Sequence, residues 1–114
     1  MAERNEAASR IELVYEGTTY TMEFDRSTVL NTEKTYGLSM RDVQEGKLAA
    51  FDAIFRGAFL KHHPRMKPAT VEAIMDRIPN KSELYATLVG MYSENIESLL
   101  GEPEEGKAIS WTAV

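Results

Sequence analysis

A chain of 114 residues with a formal charge of −5 and no cysteine has room for one domain, and none for a disulfide framework, a thiolate metal site or a cysteine nucleophile. The acidic balance disfavours non-specific nucleic-acid binding, which needs a basic surface, and no apolar run nears the roughly 20 residues that cross a bilayer. The polar opening MAERNEAASR lacks the apolar stretch of a secretory signal, so residues 1–10 read as a disordered leader and a cytoplasmic location is expected.

Ile11, Leu13 and Tyr15 alternate with polar residues, and Tyr20, Met22 and Phe24 repeat the pattern. Period-two patterning on either side of Glu16-Gly17-Thr18-Thr19 predicts a β-hairpin with a four-residue connection. A lone hairpin is marginal in water, so its apolar face must be covered. Asp25 or Ser27 can cap a helix running to Tyr36, with Gly37 at its end and Val29, Leu30 and Tyr36 as a modest apolar face.

Ser39 or Asp42 opens the next helix, whose stripe Leu48, Phe51, Ile54, Phe55, Ala58 and Phe59 is the strongest in the chain. Gly46 can divide it, leaving residues 47–63 as the solid part, and Gly57 allows a close backbone approach. The linker His62-His63-Pro64-Arg65-Met66-Lys67 leads to Pro68, a good first-turn residue, and Val71, Ile74, Met75 and Ile78 follow at helical spacing. After Pro79, Asn80 or Ser82 caps a last helix that reaches Leu100 and stops at Gly101. Strands segregated from helices give an α+β class. The expected architecture is an N-terminal β-hairpin followed by three or four helices packed as a small helical bundle. Residues 11–100 form a single domain, and 101–114 form a flexible tail, first acidic and then apolar.

No catalytic pattern is present: neither a nucleophile elbow nor a phosphate-cradling glycine loop. The two histidines are adjacent and diverge by about 100° on a helix, so they do not converge on one ion. Their position favours the negative end of a helix dipole. Asp52 and Asp76 interrupt apolar stripes and are expected to point outward. The chain is therefore read as a non-enzyme without cofactor or metal.

Two features suggest protein binding. Charge is segregated: Arg56, Lys61, Arg65 and Lys67 fall in a stretch without acids, whereas Glu83, Glu94, Glu97, Glu102, Glu104 and Glu105 fall in one without bases. Solvated faces explain such runs, and so does head-to-tail self-association, for which Arg56, Lys61, Arg65, Lys67, Glu94 and Glu97 are the candidates. The last helix is apolar on a front wider than one stripe. Packing on two sides within the domain explains this, and so does a client surface made of Leu84, Tyr85, Leu88, Val89, Tyr92 and Ile96. The tail segment Ala108–Val114, with the only tryptophan at Trp111, is β-prone and able to add to a sheet edge.

The hairpin IELVYEGTTYTMEF, then DRSTVLNTEKTYGLSM, then FDAIFRGAFLKHHPRMKPATVEAIMDRI together resemble the small tail assembly chaperones of long-tailed bacteriophages over residues 11–100. Glu33 and Gly37 stand as in that family's E-x-x-x-G helix ending. The histidine-rich break before a proline and the helix after it are similar to the family's middle. The resemblance implies a non-catalytic protein that coats the tape-measure protein during tail assembly, meets the tail tube protein, and is absent from the finished particle. It also implies that a longer frameshifted form is common. A structural head–tail connector or tail completion protein is the alternative, and presence in purified particles separates the two. A small ligand-binding enzyme would need a deep polar pocket, and a DNA-binding regulator is disfavoured by charge despite the basic stretch.

Overall fold

A computed structural model describes residues 9–114; most of the expected leader, residues 1–8, lies outside the described residues. Strand β1 (Arg10–Tyr15) and strand β2 (Thr18–Glu23) form an antiparallel hairpin, so the strand already begins at Arg10. Ile11 faces Met22 and Leu13 faces Tyr20, which puts the alternating apolar residues of both strands on one face. The connection is shorter than the four residues expected. Glu16 and Gly17 both have positive φ (50° and 80°), the geometry of a two-residue turn that matches strand twist, and Thr18 and Thr19 belong to β2.

Five helices follow: α1 (Arg26–Tyr36), α2 (Met40–Gln44), α3 (Leu48–Gly57), α4 (Pro68–Arg77) and α5 (Lys81–Leu100). The α+β class and the hairpin-then-helices order agree with the sequence, and the division at Gly46 produces the fifth helix. Gly46 sits at φ 72°, a conformation that costs residues with a Cβ. Asp25 caps α1 through a reciprocal pair with Thr28: the Asp25 side chain accepts from the Thr28 N–H at 2.8 Å, and the Thr28 hydroxyl accepts from the Asp25 N–H at 2.7 Å. Gly37, at φ 66°, closes α1 by donating its N–H to the Glu33 carbonyl.

The inner face of α1 is Thr28, Val29 and Thr32; Leu30 and Tyr36 are exposed, contrary to the apolar face expected for them. The reason lies in the crossing of α1 and α3. A Cβ at Gly57 would overlap the Thr32 hydroxyl, methyl and Cβ, so the helices meet glycine to threonine with no space for a larger side chain. Helix α3 also ends at Gly57 rather than near His63. Tight turns carry the chain onward, through Phe59 N–H to the Arg56 carbonyl and Leu60 N–H to the Gly57 carbonyl. Ala58 and Phe59 remain in the core from those turns.

The core joins Met22 and Phe24 from the hairpin to Val29, Ile54, Phe55, Phe59, Val71, Ile74, Leu88, Met91 and Tyr92. Helix α5 runs through the centre, packing on α1 and α3. Phe24 meets Tyr92 edge-on at 5.1 Å between ring centroids, and the Asn95 amide donates to the Phe24 carbonyl at 3.1 Å. At its end, the Arg26 side chain donates to the hydroxyl and carbonyl of Ser98, fastening α5 to the start of α1. Residues 101–114 form neither helix nor strand, and every one of them is exposed.

Candidate functional site

The wide apolar front of α5 splits into an inner and an outer part. Leu88 and Tyr92, two of the six client-surface candidates, are fully buried together with Met91, so they serve the core and are closed to any client. The cause is the central position of α5, which packs against α1 and α3 and takes Phe24, just after β2, against Tyr92. Leu84, Tyr85, Val89 and Ile96 pack against the core but remain half-exposed. Tyr85 stacks on Phe51 with ring centroids 5.4 Å apart and planes 26° apart. Burial, with a smaller contribution from the Asp52 charge, pushes the Tyr85 phenol above the ordinary tyrosine range.

One turn before Phe51, on the same side of α3, Leu48 is 83% exposed. The sequence pattern assigned Leu48 to the core stripe. The structure instead puts it at the rim, because the break at Gly46 makes it the first residue of α3, where its helix is not yet covered. Leu48, Phe51, Tyr85 and Val89 thus form an apolar ledge along α3 and α5, while Leu99 and Leu100 add exposed leucines at the far end of α5.

The charged candidates also divide. The Arg56 guanidinium donates to Asp52 at 3.0 Å and to Glu72 at 3.2 Å, joining α3 to α4; the Asp52 bond is the main reason its pKa is raised. Asp52 and Asp76 point outward, as expected. The Lys61 ammonium lies 3.2 Å from Glu23 and 3.4 Å from Asp25. Arg56 and Lys61 are therefore engaged within the monomer. Arg65 and Lys67 are exposed and reach no carboxylate among the described residues, and Glu94 and Glu97 are exposed on α5.

The histidines act as tethers between the hairpin and the helices. The His62 ring nitrogen Nε2 is 2.8 Å from a Glu23 oxygen, and this bond is the leading cause of the lowered Glu23 pKa. The Thr21 N–H donates to His63 Nε2 at 3.0 Å, and the Glu23 N–H donates to the Ala58 carbonyl at 2.9 Å. These two bonds satisfy the outer edge of β2, which a two-stranded sheet otherwise leaves open. An acceptor at Nε2 requires a neutral ring with its proton on Nδ1. Burial, reinforced by the neighbouring His62, lowers the His63 pKa and favours that form. The dipole role expected of the pair gives way to this one, because α3 ends five residues before His62.

Beside these tethers is a groove of about 450 Å³ lined by Tyr20, His62, His63, Pro64, Arg65, Met66, Lys67 and Thr70. It joins β2 to a linker about 42 residues further along the chain, and no short sequence pattern announces it. A smaller cleft of about 280 Å³ lies near Phe24, Met91, Glu94 and Asn95. Among the described residues, no three metal-ligating side chains cluster, and no helix is long and apolar enough to cross a membrane. Comparison with curated proteins and with solved structures finds no match. A family model does match residues 1–114, and the chain belongs to the family described as a domain of unknown function, DUF5055.

Proposed function

We propose that this protein is a tail assembly chaperone of a long-tailed bacteriophage. It holds the apolar helices of the tape-measure protein in solution in the host cytoplasm, with the tail tube protein as a second partner and no catalytic step. The chain's resemblance to that family over residues 11–100 supports the reading. The structural observation that carries it is the ledge of Leu48, Phe51, Tyr85 and Val89, where an 83% exposed leucine adjoins a half-exposed aromatic stack. An amphipathic helix lying along α3 and α5 would cover these side chains and leave its polar face in water, the helix-in-groove mode of recognition. The net charge of −5 keeps a protein with such a ledge soluble.

Co-expression with the tape-measure protein encoded in the same genome tests this. Leu48→Asp changes a side chain that makes little use of the core, so the variant folds. It should lower the soluble fraction of the tape-measure protein severalfold, and Tyr85→Ala should do the same. Unchanged client solubility with folded Leu48→Asp would remove the proposal. Detection of the protein in purified particles would favour a structural virion component instead.

A further inference from the structure

We infer that the basic groove beside the histidines receives the acidic segment Glu102–Glu105 of a second copy of this chain, linking copies head to tail. The inference is independent of the client ledge, which lies on other elements.

The receiving half combines cations with hydrogen-bonding and apolar groups. Arg65 and Lys67 stand at the groove exposed and without a carboxylate partner among the described residues, while Tyr20, Thr70 and Met66 complete its lining. No acid lines the groove among the described residues. Glu23, the carboxylate that His62 contacts, is paired with the Lys61 ammonium at 3.2 Å, which offsets its repulsion of an incoming anion. The other basic residues of this stretch, Arg56 and Lys61, are held by internal acids, which concentrates the available positive charge at Arg65 and Lys67.

The entering half has the complementary chemistry. Glu102, Glu104 and Glu105 fall within four residues, all exposed, and Pro103 among them stiffens the segment. Among the described residues only Glu104 has a cation in reach, Lys107 at 3.6 Å, and that pair is solvent-exposed and weak. Ile109 and Trp111 follow at 87% and 86% exposure, offering apolar area beside the charges. The tail leaves α5 at Gly101 and stays clear of its own groove, so one molecule presents both halves at once. Such a contact is heterologous, and its repetition builds rings or open arrays.

Trp111 is the only tryptophan and makes a natural reporter. In low salt, raising the concentration of the full chain should increase the sedimentation coefficient and shift Trp111 emission to the blue. Raising salt to about 1 M, where the Debye length is about 3 Å, should reverse both. Arg65→Glu with Lys67→Glu should weaken association at least about tenfold, as should Glu102→Lys with Glu104→Lys and Glu105→Lys. Because all five residues are exposed, each variant should keep the wild-type circular dichroism. Both sets in one chain should restore association. A wild-type chain that stays monomeric with a red-shifted tryptophan at every concentration overturns the inference. So does association that survives either reversal. A blue shift independent of concentration would put the tail in its own groove and would equally refute a link between copies.

Discussion

Tyr92 shows how one side chain can carry opposing energetics. Its ring is fully buried and packs edge-on against Phe24, yet its hydroxyl makes no well-formed hydrogen bond among the described residues, although the Glu33 carboxylate lies close by. Burial, with the Glu33 charge nearby, pushes the phenol well above the usual tyrosine range. A buried unsatisfied hydroxyl costs about 1–3 kcal/mol. Tyr92→Phe keeps the ring and removes that cost, so we expect a stability gain of up to about 1 kcal/mol, read as a higher urea or thermal midpoint. Gly57 behaves in the opposite way. Adding one methyl in Gly57→Ala drives it into Thr32 at the crossing of α1 and α3, and the expected loss is about 1–3 kcal/mol by chemical denaturation. The sequence marked Gly57 as a place for close packing, but its partner was hidden. Thr32 is polar, and a reading that seeks apolar stripes passes over it in favour of Leu30 and Tyr36, which solvent receives instead.

At the scale of the element, the caps were the most legible part. Asp25, Ser39, Gly37 and Pro68 each stand at the helix boundary expected of them, since capping depends on neighbours within four residues. The connection of β1 to β2 and the end of α3 were misjudged by a few residues, because turn type and tertiary contact decide those lengths. The attachment of the hairpin was illegible, for it depends on His63 meeting Thr21 across 42 residues. This tether has a pH consequence. The folded state holds His63 neutral, with its pKa lowered from 6.5. Its contribution is complete above that value and is lost as pH falls through the lower folded pKa, where the unfolded chain has already taken up its proton. Glu23 and Lys61 lie close by, and the lowered carboxylate pKa of Glu23 moves its own loss of stability to still more acidic solution. We expect unfolding midpoints measured from neutral to mildly acidic pH to decline in the wild type and to flatten in His63→Gln, which keeps an acceptor but does not titrate there. Parallel profiles would assign the decline to another group.

Taken as a whole, the molecule separates what its composition merged. Apolar width along α5 signalled two coverings, and the core takes Leu88 and Tyr92 while Tyr85 and Val89 stay half-open. Charge segregation was plain in the chain, but not which cations were spent internally. Arg56 and Lys61 read like Arg65 and Lys67 until α4 and the hairpin bring Glu72, Glu23 and Asp25 against the first pair. A pattern along one dimension records the supply of charge; the distances across the fold determine what is left for a partner. The candidate sites are accordingly smaller than the sequence suggested, and lie on the α3–α5 ledge and at the linker groove.

The long-range clasp on β2 also orders events during synthesis. Thr21 and Glu23 find their acceptors only when Ala58 and His63 exist, about 40 residues later. At elongation speeds of about 5–20 residues per second, that is a delay of about 2–8 s. Throughout that interval the nascent strands have an unclasped edge and an uncovered Met22 face, a state more adhesive than the finished fold. The early-made strand β2 is thus among the last elements secured, and a ribosome paused before His63 would display a sticky ribbon that the completed molecule conceals.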